Sequence, residues 1–228
     1  MSRDFNGTSD GLSSSISPIT QFPVSASLWF KATTLSGGAD IDLFDAHDDP
    51  GVGIAIRVVL AGAASYVPTL KMFDGGYTDV ASAVTPSTGT WHHVGVVLNS
   101  SSSYSIFVNG ANKVTGTTAK TMTLSNLDRL ALGKLSFGAS NYFNGLLGYS
   151  AVWDGVALSD SQMLELYTKG PLLVGTPTAY WPLTSNASPE PDDAVSGTND
   201  LTVSTPSFSA DNPTLDLTGT ILFGARVF

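Results

Sequence analysis

The sequence predicts an all-β protein, two antiparallel sheets stacked as a jelly-roll sandwich with one short helix near residues 160–169. Three observations carry that expectation. Two β-rich runs, Thr90 to Leu98 and Tyr104 to Val108, flank the serine loop Asn99 to Ser103, and the second ends at Asn109-Gly110. Asn-Gly marks a tight hairpin because both turn residues tolerate positive φ, so a third strand is expected from about Ala111 to Thr117. Short runs of alternating apolar residues also recur along the whole chain with turn residues between them, the pattern of a sandwich or jelly roll. Finally, 42% hydrophobic residues supply a core while charged residues make up only 13%, about half the usual share.

Taken in order, Asp4 to Leu12 reads as a turn-rich opening. The first clear strand is Phe22 to Lys31, where Phe22, Val24, Ala26, Leu28 and Phe30 share one face. Ser25, Ser27, Trp29 and Lys31 share the other. Ser36-Gly37-Gly38 breaks the pattern before Ile41 to Phe44, and Asp48-Asp49-Pro50-Gly51 is a turn. Gly53 to Leu60 alternates again, with Ile54, Ile56, Val58 and Leu60 aligned. Leu70 to Phe73 and Val80 to Val84 are shorter strands around Asp74-Gly75-Gly76, and Leu127 to Gly133, Tyr142 to Trp153 and Ala179 to Leu183 continue the register.

The helix announces itself by its ends. Ser159 is an N-cap, Gln162 completes a capping box, and Lys169-Gly170-Pro171 supplies a cation, a C-cap and a stop. Met163, Leu164, Leu166 and Tyr167 give it an apolar face, expected to plug the open end of the sandwich. Ser188 to Ser196 is a loop. The whole of 1–228 reads as one domain, with 171–228 as a C-terminal extension that completes the sandwich or contacts a partner.

Composition excludes several functions. The net charge is −9 and the ten basic residues are scattered, so no basic stripe exists for nucleic acid, and anionic membranes would repel the chain. The absence of cysteine removes disulfides, thiolate metal sites and cysteine catalysis. No run approaches a membrane span, and Met1 to Gly7 lacks the apolar stretch of a Sec-type signal peptide. The Ser-, Thr-, Gly- and Asn-rich surface suits either a harsh exterior or simply a β protein with many turns.

Several motifs then fall in a recognisable order. They are Phe5-Asn6-Gly7-Thr8-Ser9-Asp10, Ala26 to Lys31, Thr90-Trp91-His92-His93-Val94, and Ile106-Phe107-Val108-Asn109-Gly110. Phe143-Asn144-Gly145-Leu146-Leu147-Gly148 follows with Val152-Trp153, and then Ala179-Tyr180-Trp181-Pro182-Leu183 with Asp193, Ser196-Gly197 and Asn199. Together they resemble the concanavalin A-like lectin/glucanase superfamily, specifically laminin-G-like modules of the phage and bacterial type. The last segment normally precedes the opening turn and here follows the helix, an arrangement similar to phage-type members. Asn109-Gly110 is expected to turn the chain, Gly145 to permit a close backbone crossing, and Trp29, Trp91 and Trp181 to fill the space between the sheets.

On that frame the residues that could carry chemistry are few. Glycosidases need two carboxylates about 5–5.5 Å apart for retention, and the related glucanases carry theirs in an E-x-D-x-x-E strand. This chain has only Glu165 and Glu190, neither in such a motif, and Asp40/Asp42 lack it too. His92 and His93 face opposite sides of a regular strand and cannot chelate one metal together. Neither a G-x-S-x-G elbow nor H-E-x-x-H occurs. Laminin-G-like relatives often bind calcium at the rim, which here implies Ca²⁺ on Asp45, Asp48 and Asp49, with Asp193 and Asn199 as a second set. Tyr66, Tyr77, Tyr142 and Trp153 are expected to be exposed, where rings could stack on sugars beside Asp or Asn.

The resemblance therefore implies a non-catalytic binding or adhesion module, displayed on a surface and recognising carbohydrate or decorating a larger assembly. The expected setting is a virion, as a capsid decoration or tail-associated oligomer whose partners are other virion proteins or glycans. The alternatives are a free lectin outside the cell by a non-Sec route, and a glycoside hydrolase. Ile221, Leu222, Phe223 and Phe228 are the partner-contact candidates, in a terminal run that is either the last strand of its own sandwich or an added strand for a neighbour.

Overall fold

The computed structural model describes residues 2–48, 53–62, 65–138, 140–184, 188–191 and 199–215. In chain order the strands are β1 (Ser2–Asn6), β2 (Gly11–Ser14), β3 (Val24–Ala32), β4 (Ile41–His47), β5 (Ile54–Ala61), β6 (Val67–Asp74) and β7 (Tyr77–Ala81). They continue as β8 (His92–Ser100), β9 (Ser103–Val108), β10 (Ala111–Gly116), β11 (Arg129–Leu132) and β12 (Asn144–Asp154). The helix α1 (Asp160–Lys169) precedes β13 (Ala179–Trp181), β14 (Thr202–Ser204) and β15 (Ser207–Ser209). They form two antiparallel sheets. The first runs β10-β9-β8-β3-β12-β1-β15, with β13 also on β12, and the second runs β14-β2-β11-β4-β5-β6-β7.

The core follows from period-2 alternation. Val24, Ala26, Leu28 and Phe30 of β3 and Val94, Val96 and Leu98 of β8 point between the sheets, where they meet Ile56, Val58, Leu70, Met72 and Leu132. The expected face split of β3 is therefore observed. The β9–β10 turn is also as expected, with Asn109 at φ 54° and Gly110 at φ 71°.

The opening corrects the expectation of turns alone. Residues 4–12 contribute strands to both sheets, because β1 pairs with β12 and β15 while β2 pairs with β11 and β14. The reversal between them is made by Asn6, whose Oδ1 accepts from the amides of Thr8 and Ser9 at 2.8 and 3.0 Å.

The helix is where the structure departs most from the sequence reading. Its capping box at Ser159 and Gln162 is present, but α1 does not plug an open end. Met163 and Leu166 instead pack onto the outer face of the first sheet, against Val97, Phe107, Ala151 and Trp153. This placement also revises the tryptophans. Trp181 lies in the inter-sheet core, whereas Trp29 is stacked on Tyr167 of α1 at 5.2 Å. Trp153, expected at the surface, is 1% exposed beneath the helix. Trp91 is half-buried and donates its indole N–H to Asp211 at 3.0 Å. Alternation assigns residues to a face, but here one face packs on the second sheet and part of the other lies under a helix.

His92 and His93 face opposite ways, as expected for neighbouring strand residues. His92 packs on Phe30 and accepts the Ser87 amide, while His93 lies beneath α1 between Trp29 and Tyr167. Burial drives the His93 imidazole from its ordinary 6.5 down to about 3. The unfolded chain takes up a proton near pH 6.5 and the folded chain does not. The contribution of this residue is therefore intact above pH 6.5 and erodes by about 1.4 kcal/mol per pH unit as the pH falls toward 3. Urea midpoints of the parent and a His93→Leu variant, measured from pH 7 to pH 4, should diverge, with the parent losing more; parallel curves would refute the assignment.

Gly145 is the other position with a measurable consequence. Its φ is +143°, and a Cβ there would overlap the Lys31 carbonyl oxygen on the neighbouring strand. Gly145→Ala should cost about 2–3 kcal/mol in urea unfolding, and a loss near zero would mean that β3 and β12 do not cross this closely.

Candidate functional site

The outer face of the second sheet and the rim above it carry a set of polar side chains. The outer face is built by a bulge. Register shifts between Asp42 and Phe44 where β4 pairs with β5. Leu43 and Phe44 can therefore both enter the core, and Asp42 and Asp45, three residues apart, both emerge on the outer side.

Arg57 of β5 stands opposite Asp45 and fills its fork with Asp42, at 2.8 and 2.7 Å. Both partners are almost inaccessible, at 4% and 0%. Burial pushes the Asp42 carboxyl up to about 6, against the pull of Arg57. For Arg57 burial opposes the charge, and the Asp42 carboxylate outweighs it and holds the guanidinium above its ordinary value. A pair of this kind is costly to break from one side, because the other charge stays buried.

Residues 133–138 and 140–143 fold over these acids. The Ser136 amide donates to Asp45 Oδ2 at 2.6 Å, the Asn141 side chain bonds Asp42, and the Asn141 carbonyl accepts the Asp42 amide at 2.9 Å. Phe137, 42% exposed, stacks on His47 at 5.9 Å. Thus the acids of β4 anchor a loop.

That loop makes one wall of a hollow of about 300 Å³ at the rim, lined by Thr34, Ser36, Asp40, Asn141, Tyr142 and Asn144 among others. Four backbone and side-chain ties fix its walls. The Thr33 amide donates to the Asn144 carbonyl at 2.9 Å, and the Gly38 amide to Tyr66 Oη at 2.6 Å. The Gly62 amide reaches Asp40 Oδ1 at 3.4 Å, and Asn144 Nδ2 reaches the Asn6 carbonyl at 3.4 Å. The result is a small polar cup with one carboxylate, two carboxamides, two hydroxyls and one half-exposed ring. Such a set can donate to and accept from vicinal hydroxyls while the ring covers an apolar face.

Asp40 links the cup to the open half of the sheet. Its Oδ2 lies 3.2 Å from Lys71 Nζ, which also meets Asp79 at 2.9 Å. Burial works against the Lys71 charge, but these carboxylates prevail and hold it above its ordinary value. Tyr77, 52% exposed, takes the Arg57 guanidinium on its hydroxyl at 3.0 Å, and Lys71 stands 5.5 Å from its ring centre. Tyr77 was expected at the surface from sequence; the buried Arg57–Asp42 pair beneath it was not. An arginine inside the alternating run Ile54 to Leu60, opposite an aspartate-bearing strand, was the available signal.

The other candidates are placed as follows. Asp45 is buried and engaged by Ser136, while Asp48 ends β4 with its amide on the Ile54 carbonyl. Asp49 and Asp193, and the terminal Ile221, Leu222, Phe223 and Phe228, lie outside the described residues. Among the described residues no group of three His, Asp or Glu side chains is arranged to hold a metal. Glu190 is fully buried and takes two bonds from Arg3 at 3.1 and 2.7 Å, whereas Glu165 stands on α1 paired with Lys169. These two glutamates share no site. A second hollow, of about 320 Å³, is lined by Ser13, Ser15, Arg129, Ser136 and Thr202, and an apolar one by Pro171, Leu172, Leu173, Tyr149 and Tyr180.

Similar folds occur among solved structures. Domain 4 of AbnA, a GH43 extracellular arabinanase from Geobacillus stearothermophilus, in complex with arabinotriose, is 24% identical with a TM-score of 0.60, over 73% of this chain and 76% of that one. The native heptameric SAP-like pentraxin from Limulus polyphemus is 14% identical with a TM-score of 0.63, over 92% and 95% of the two chains. The CBM40 of the Ruminococcus gnavus IT-sialidase, bound to α2,3-sialyllactose, is 15% identical with a TM-score of 0.54, over 73% and 98%. At these identities the likeness is one of fold. No curated protein matches the chain in sequence. Residues 6–163 match the Laminin_G_3 family, and on that match the chain belongs to the concanavalin A-like lectin/glucanases superfamily.

Proposed function

We propose that this chain is a glycan-binding module without catalytic activity of its own, and that it takes sugar in the rim cup. The observation that carries the reading is the convergence of Asp40, Asn141, Asn144 and the Tyr142 ring in one hollow whose walls are tied by hydrogen bonds. Pre-formed walls matter because a ligand then spends little of its interaction energy on ordering loops. Sugar-bound relatives in fold support the reading, as does the family. Against catalysis stands the fate of the acids. Asp42 and Asp45 are committed to Arg57 and to the covering loop, and Glu190 to Arg3.

The finer part of the proposal is the setting, a module displayed on a virion, to be tested by whether the protein co-purifies with particles. Calcium on Asp45, Asp48 and Asp49 is a further alternative, and EDTA in the binding assay tests it.

A glycan array followed by calorimetry on its hits should find micromolar to millimolar binding. Asn144→Ala or Tyr142→Ala should weaken it tenfold or more, and no sugar product should be released. An empty array, or variants that bind as well as the parent, would reject the cup as a glycan site; released product would reject the non-catalytic reading.

A further inference from the structure

We infer that the ligand of the cup is an uncharged oligosaccharide of at least two units, running from the cup past Asp40 and Lys71 onto the Tyr77 ring. The inference rests on the glycan-binding reading and adds the charge and the length of the ligand.

Charge comes from the lining. Among the residues that line the cup, Asp40 is the one ionisable at neutral pH as an acid, and none is a lysine or arginine. The cation at its edge, Lys71, is shared by the Asp40 and Asp79 carboxylates. The next cation inward, Arg57, has its fork on Asp42 and its remaining arm on the Tyr77 hydroxyl. A sugar carrying carboxylate, sulfate or phosphate would therefore meet Asp40 with both nearby countercharges already engaged, on a chain of net charge −9. Like-charge juxtaposition of that kind discriminates strongly against a ligand. Hydroxyls face no such penalty.

Length comes from Tyr77. A singly exposed tyrosine on a β protein is ordinary. This one is held on three sides. Arg57 Nη1 donates to its hydroxyl at 3.0 Å, Phe73 packs on it with ring centres 5.0 Å apart, and Lys71 stands over its ring at 5.5 Å. A ring that is half open and already immobile offers contact area at little cost in side-chain entropy. Asp40 reaches the same Lys71 nitrogen at 3.2 Å, so one ammonium group touches both the cup and the tyrosine platform. A single monosaccharide in the cup leaves Tyr77 unused; the adjoining unit would cover it.

The test uses the full chain and two sets of probes in calorimetry. One set holds uncharged oligosaccharides of one to four units, arabinotriose among them. The other holds uronate-, sulfate- and sialate-bearing counterparts, α2,3-sialyllactose among them. The expected result is binding confined to the uncharged set, at least tenfold tighter for two or three units than for one. Tyr77→Ala should abolish that gain with length, and Tyr77→Phe, which keeps the ring, should retain most of it. Charged probes that bind as tightly as uncharged ones would overturn the inference, as would a gain with length that Tyr77→Ala leaves intact. No binding in either set would instead remove the glycan reading beneath it.

Discussion

The first sheet carries a buried apolar cluster on each face, and that constraint shapes how the rest of the chain packs. Its inner face carries Leu28, Phe30, Val94 and Val96 into the inter-sheet core, and its outer face carries Val97, Phe107, Ala151 and Trp153. Neither set can be left in water. The second sheet covers one, and α1 with its capped, amphipathic turns covers the other. Burying side chains such as these is worth roughly 1.5–3 kcal/mol each, so the layering is held by many cooperative contacts. The far side of the second sheet and the loops at its rim carry the buried ion pair and the polar hollow.

On that far side, polar groups are ordered by ion pairing. The bulge in β4 puts Asp42 and Asp45 on one face, and β5 answers with Arg57. Once these charges are buried they must be satisfied, and the residues that complete them, Ser136 and Asn141, belong to a loop. Electrostatics of the sheet thereby set the position of that loop, which then forms a wall of the cup with Tyr142 and Asn144. The chain of cause runs from one extra residue in a strand to the shape of a hollow about 300 Å³ in volume.

Much of the fold was legible in the sequence, because alternation, turn residues and helix caps are local signals. The β9–β10 hairpin, the two faces of β3 and the Ser159 cap follow from residues within a few positions of one another. What covers each face was not legible. Trp29 and Trp153 alternate like core residues of a sandwich or like surface residues, and only the docking of α1 makes them interior to a different interface. The opening run 4–12 hid two strands, since five- and four-residue strands around an Asn-Gly turn carry too few alternations to declare themselves. Tyr77 and Tyr142 were singled out as rings, yet their neighbours at the site come from strands and loops distant in sequence. The Arg57–Asp42 pair needed the β4–β5 register, which the bulge shifts by one residue.

A fold of this kind hosts many functions, so what the molecule does is decided by the side chains at its rim. Those side chains are acids and amides whose stronger partners are already taken. Asp42 is forked by the buried Arg57 guanidinium and Asp45 takes the Ser136 amide, so both carboxylates are engaged within the protein. Asp40 and the asparagines keep hydrogen-bonding capacity toward solvent without a basic group to gather anions. The cup sets fixed acceptors and donors beside a half-exposed ring, an arrangement whose geometry is decided by the ion pairs and loop beneath it. The same buried charges that fix the loop therefore also fix which polar atoms the cup presents to solvent.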